Sequence, residues 1–248
     1  MKSSLLFGAA LAATAFAGAA HAQSMGHIDL TFQNNDYGSD SYNDASIGGA
    51  ALLGEHFQLS GRYANIDVGD TGADYFDIDG FLFSRSDTGA YGGYLSYDNV
   101  EDTNEWSIGG FIQSYSDNWN WTAQLGYADT EGDAQNINLD GEGRYFFSDN
   151  FSVQGNLGYG TFEGEASGDY FSGGLGAEIG FDNSPISLFG AWEHYEFDSN
   201  GVDTFGIGAR WSFGGGSVKE RSRTGASFQR VTRTLGDLEL GGSNAPRG

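Results

Sequence analysis

From Gly26 to Phe213 the apolar side chains recur at every second position and never hold a helical spacing for two turns. A period of two puts alternate side chains on opposite faces of an extended strand, so each stretch carries one greasy and one polar face. Turn-rich breaks divide this body into about twelve stretches, placed at 26–32, 43–53, 57–67, 75–85, 90–97, 105–115, 119–129, 136–147, 151–161, 170–181, 186–197 and 204–213. Most are close to the ~9–11 residues that a tilted strand needs to cross a bilayer. The longest uncharged apolar runs in this body are strand-sized and broken by Gly and Ser. Any membrane crossing must therefore use β-structure, in which neighbouring strands satisfy the backbone groups.

Two kinds of break alternate along the chain. Gly54-Glu55-His56, Ser86-Asp87-Thr88-Gly89, Asp117-Asn118, Ser148-Asp149-Asn150 and Asp182-Asn183-Ser184-Pro185 are short and made of tight-turn residues. The segments 33–42, 68–74, 98–104, 130–135, 162–169 and 198–203 are acidic, polar and longer, and read as loops. Six long loops and five short turns give an even strand count, with both ends of the body on the short-turn side. The pattern predicts an all-β fold: a transmembrane antiparallel up-and-down β-barrel of about 12 strands, with periplasmic N- and C-termini and outer loops.

Residue types on the alternating faces separate this fold from a soluble barrel, which also alternates but turns its apolar face inward. Trp119, Trp121, Ala123, Leu125 and Tyr127 share one face, and Asn120, Thr122, Gln124, Gly126 and Ala128 the other. Phe151, Val153, Gly155, Leu157 and Tyr159 repeat the arrangement, with aromatics at both ends of the apolar face. Stacked in register, these residues form two aromatic belts around an aliphatic band, as at the two interfaces of a membrane.

The body's four basic residues, Arg62, Arg85, Arg144 and Arg210, all fall on polar faces. Lipid-facing Arg at the midplane would cost ~2–4 kcal/mol, so this parity is the stable one. The polar faces also carry Asp29, Asp77, Asp79, Asp140, Glu142, Glu178 and Glu193. These eleven side chains are the candidate pore lining, modestly acidic in sum. Phe81, Phe83, Tyr94 and Phe111 share the inward parity and would narrow the bore. Many of the 41 Gly sit inside strands, where they relieve crowding in a small barrel.

Outside the body the composition changes. Residues 1–22 read as a secretory signal peptide: Lys2, an Ala/Leu-rich stretch, and Ala20-His21-Ala22 as the small-x-small cleavage site. Residues 23–213 form the barrel domain, with 31 acids against the four Arg. The tail, 214–248, holds six basic and three acidic residues after Gly214-Gly215-Gly216 and reads as a flexible basic periplasmic extension. A sharper alternative is that it contacts anionic cell-wall material or enters the acidic lumen as a plug. The formal charge of -23 excludes nucleic acid as a partner, and the absence of Cys removes disulfides, thiolate metal sites and thiol nucleophiles.

The last stretch, Phe205-Gly206-Ile207-Gly208-Ala209-Arg210-Trp211-Ser212-Phe213, resembles the closing-strand signal of Gram-negative outer-membrane β-barrels. That resemblance implies recognition of Phe205, Ile207, Ala209, Trp211 and Phe213 by the barrel assembly machinery. In that class the terminal Phe commonly ends the chain, whereas here 35 residues follow it. The body as a whole resembles small porin-like proteins, which implies passive diffusion of small hydrophilic solutes or ions through the lumen. The acid excess adds a weak cation preference. The competing expectation is a non-conducting barrel with a structural role, or one that binds a partner through acidic outer loops.

Catalysis is not expected. Some barrels of this size are phospholipases with a His-x-Ser-Asn-Gly segment; here Ser199-Asn200-Gly201 occurs, but the nearest His, His194, lies five residues before Ser199. Asp67, Asp70 and Asp74, and Asp129, Glu131 and Asp133, lack the spacing of a calcium loop and read as solvated acidic loops, so neither metal nor cofactor is expected. The remaining expected partners are outer-membrane lipid, the assembly machinery and small polar solutes.

Overall fold

The computed structural model of the chain describes residues 25–230 apart from 37–40, 69–70, 101–102, 132–133, 165–166 and 198–199. The expected signal segment and residues 231–248 lie outside the described residues. Twelve strands close into one barrel: β1 (Gly26–Asp36), β2 (Ser41–Leu52), β3 (Phe57–Val68), β4 (Thr71–Ser86), β5 (Gly89–Val100), β6 (Thr103–Ser116), β7 (Trp119–Thr130), β8 (Ala134–Ser148), β9 (Phe151–Glu163), β10 (Gly168–Gly180), β11 (Ile186–Phe197) and β12 (Asn200–Phe213). Each strand pairs antiparallel with its chain neighbours, and β1 closes onto β12 with Gly26 opposite Phe213 and Asp29 opposite Arg210. Closure removes every sheet edge, which is what allows β-structure to sit in lipid.

Strands on one side of the barrel run further than the alternation indicated. The segments read as long loops mostly continue the ladders: Asn35 pairs with Tyr42, Asn65 with Asp74, Asn99 with Asn104 and Asp169 with Thr161. Only two to four residues separate consecutive strands at this far rim, against two to five at the near rim, where residues 26 and 213 lie. The expected contrast in loop length is therefore corrected to a contrast in strand composition. Beyond the apolar band both faces of a hairpin are polar, so alternation vanishes while pairing persists. Side chains reinforce it: Asn35 donates to Asp44 (3.0 Å), and Tyr63 and Asn65 donate to Asp74 (2.7 and 3.0 Å).

The outer wall is apolar. Leu30, Ile78, Leu95, Ile108, Leu125, Leu157 and Leu175 are exposed around it. Near the short-turn rim Trp119, Trp121, Tyr145, Phe147 and Phe151 form a run of rings with centroids 4.8–5.4 Å apart. On the far side of the band Tyr97 packs on Trp106 at 4.8 Å. Such a surface is stable against hydrocarbon and its aromatic belts mark the two interfaces.

Beyond Phe213 the chain departs from the expected flexible extension. Gly214, Gly215 and Gly216 all have positive φ (96°, 83° and 92°), a conformation that three consecutive L side chains could not adopt without strain. This turn reverses the chain into a short helix, α1 (Val218–Thr224), capped by the Ser217 hydroxyl accepting from the Glu220 amide at 3.1 Å. A segment without regular secondary structure then runs to Arg230 inside the barrel, where Ala226, Ser227, Phe228 and Arg230 are buried. The basic side chains explain the difference, since an acid-rich lumen offers them partners that solvent does not. Residues 217–224 thus sit on the short-turn rim, and residues 226–230 lie against the inner wall.

Candidate functional site

Among the described residues the lumen is the large polar surface that the closed wall encloses, and its inner positions alternate with apolar outer ones along the strands. Among the described residues ten acids are buried there: Asp29, Asp44, Asp77, Asp79, Asp98, Glu105, Asp140, Glu142, Glu178 and Glu193. The seven acids anticipated from parity are all among them. Arg144 and Arg210 are buried in the same wall, and Arg62 and Arg85 point inward half-buried. Room for the inner rings comes from glycine: a Cβ at Gly109 would lie 2.3 Å from the Tyr94 ring, and one at Gly126 would lie 2.5 Å from its hydroxyl.

An ion network sits near the short-turn rim. Arg210 grips Asp29 with two nitrogens at 2.7 and 2.9 Å, a bidentate pairing across β1 and β12. Glu178 accepts from Arg144 at 2.7 Å and from the Ser187 hydroxyl at 2.6 Å, and lies 3.5 Å from Arg210. Arg221 of α1 approaches Glu178 to 3.5 Å, joining the tail to the wall. His27 points inward with its Nε2 3.5 Å from Asp29.

Deeper in, the tail meets a second cluster. Arg85 donates to the Gly225 carbonyl at 3.1 Å and to Ser227 at 3.2 Å, and its guanidinium covers the Phe228 ring at 4.5 Å. The Phe228 ring packs against Phe83 (4.5 Å), Phe111 (4.6 Å) and Phe81 (6.2 Å). Gln58 donates to the Phe228 carbonyl (2.6 Å) and accepts from its N–H (3.1 Å). Gln124 donates to the Gln229 carbonyl at 2.6 Å. Arg230 donates to Asp79 and Asp98 at 2.7 Å each and to Ser107 at 3.1 Å. The narrowing rings read from parity are thus brought together, with a tail residue completing their cluster.

Asp98 lies one residue past the alternating stretch 90–97, yet it shares parity with Tyr94 and Ser96, and that is the sequence signal for it. Asp44 and Glu105 could have been found the same way. Phe228 and Arg230 carried no such signal, since they lie outside every alternating stretch. Asp140 accepts from Asn138 beside it, Glu193 from Asn156 at 3.5 Å, and Asp77 from Tyr75 at 2.8 Å. Arg62 lies over the Tyr75 ring at 5.2 Å. On β12, Phe205, Ile207 and Trp211 are exposed on the outer wall, with Ala209 and Phe213 half-buried at the same parity. His194 faces outward with its Nδ1 3.1 Å from Asp203, while Ser199 lies outside the described residues.

No protein-family model matches the chain, and no curated protein sequence matches it. Solved structures do share the fold. The KdgM porin, in complex with disordered oligogalacturonate, superposes with a TM-score of 0.61 at 11% identity, over 75% of this chain and 99% of that one. The NanC porin gives 0.64 at 6% identity, over 74% and 98%. The translocator domain of the autotransporter NalP from Neisseria meningitidis gives 0.53 at 14%, over 85% and 96%. The fold is therefore that of porin-like outer-membrane barrels.

Proposed function

We propose that this protein is a non-enzymatic, porin-like channel of the outer membrane that passes small hydrophilic solutes or ions by diffusion, with a weak preference for cations. The observation that carries the reading is a closed wall that is apolar outside and lined inside, among the described residues, by ten buried acids against four Arg of the wall and Arg221 and Arg230 of the tail. Inside a low-dielectric wall each fixed charge acts strongly on a passing ion, so the acid excess favours cations. The barrel shared with the KdgM and NanC porins supports this assignment at the level of fold. A second reading, a non-conducting barrel, is favoured by the tail lodged on the inner wall from Gly225 to Arg230.

Planar-bilayer recording separates the two. The full chain is expected to conduct weakly, and the double variant Phe228→Ala/Arg230→Ala to show larger discrete steps, because these side chains fasten the tail to the bore. Its cation preference should be clearest at low salt and fade as the Debye length shortens. Asp140→Asn with Glu142→Gln should reduce the preference. Absence of discrete steps in both proteins would leave the non-conducting barrel.

A further inference from the structure

The inner wall formed by β3 to β7 reads three generic features of its occupant. One is an aromatic ring, received by Phe81, Phe83 and Phe111. Another is one residue's backbone N–H and C=O, read by the two ends of the Gln58 amide. The third is a guanidinium, held between Asp79 and Asp98 with Ser107 as a further acceptor. Phe228 and Arg230 present the ring and the guanidinium from positions i and i+2 of one segment, so a peptide ligand needs the same spacing.

We propose that this part of the lumen is a binding site for soluble guanidinium-bearing peptides in which an aromatic residue stands two before an arginine, and that Phe228–Arg230 is its built-in occupant. The proposal rests on one part of the channel reading, a lumen open to solvent from one end, and does not need conduction. All the recognising groups belong to the barrel wall, and none of their contacts requires the ligand to be covalently joined to it. Two buried carboxylates side by side repel one another, so a site that lacks a cation is unstable and selects strongly for one. Asp98 also keeps its second oxygen buried without a hydrogen-bond partner, leaving acceptor capacity for an additional donor. Guanidinium suits the cradle better than ammonium because its planar fork reaches two carboxylates and a hydroxyl in fixed directions.

The test uses the full chain carrying Phe228→Ala and Arg230→Ala, which takes the ring and the guanidinium out of the site, weakens the tail's hold on it and leaves the wall unaltered. The probe is the labelled peptide amide Gly-Ala-Ser-Phe-Gln-Arg, and the control is the same peptide with citrulline for arginine. Fluorescence anisotropy in detergent should show the vacated protein binding the arginine peptide at least tenfold more tightly than the unaltered chain does. The citrulline peptide should bind at least tenfold more weakly, and adding Asp79→Asn and Asp98→Asn should abolish that discrimination. Heat-modifiable migration confirms that each variant is folded, and a folded vacated protein that ignores the peptide, or does not distinguish arginine from citrulline, overturns the proposal. Conductance of the same vacated protein isolates the channel reading. Selective binding without conductance defeats the channel and keeps the site, whereas conductance without selective binding defeats the site alone.

Discussion

Arg230 and Asp98 stand 132 positions apart in sequence, yet their side chains meet at 2.7 Å with both fully buried. Truncating one partner of such an arrangement leaves charges uncompensated, at a cost of ~3–5 kcal/mol where water stays excluded and less where the lumen hydrates. Arg230→Ala should therefore release the tail, and trypsin should cut after Arg223 at least about tenfold faster than in the unaltered chain, tenfold being ~1.4 kcal/mol of opening equilibrium. Unchanged cleavage would mean that α1 alone holds the segment. Glycine supplies a second test at this scale. A Cβ at Gly126 meets the Tyr94 hydroxyl and Asn138 Oδ1 at 2.5 Å each. Gly126→Ala should lower stability by ~1–3 kcal/mol, seen as a lower midpoint for heat modification on gels. Which residues face inward was legible, because parity is a local property of a strand. Which of them pair was not, since that depends on how strands far apart in sequence come round the barrel.

Strands were legible in the apolar band and lost at its edge. β4 was expected over 75–85 but runs from Thr71 to Ser86, because Gly72, Asp74 and their partners on β3 are held by ladder hydrogen bonds rather than by burial against lipid. Hydropathy sees only the latter. For α1 the obstacle was different: its seven residues are too few to show a helical period, and what places it is the Gly214–Gly216 turn. Replacing these three glycines by Ala should oppose the reversal by ~1–2 kcal/mol per residue and raise conductance by keeping the tail out of the bore. The closing strand carries its own expectation. Phe213 is half-buried at the outer edge of β12 opposite Gly26, so Phe213→Asp should slow assembly and reduce the heat-modifiable fraction. Equal yields from the two proteins would remove Phe213 from any assembly role.

For the whole molecule, orientation is the consequence most open to test. A polar far rim and a near rim holding both ends of the barrel suit an outward-facing far rim, so Cys at Thr103 should react with an impermeant reagent on intact cells and Cys at Asp87 should not. Reversed labelling would invert the molecule. The Gly214–Gly216 link has a further consequence, which is numerical. It delivers one copy of the Phe228–Arg230 segment to each bore, and tethering through a short link confers a local concentration on the order of millimolar or above. A free competitor of equal intrinsic affinity must therefore reach millimolar levels before it occupies half the bores, however tight the vacated cradle is. The response threshold is then set by the length of a spacer that touches no ligand. Inserting Gly-Ser repeats after Gly216 should lower that threshold roughly as the inverse three-halves power of spacer length.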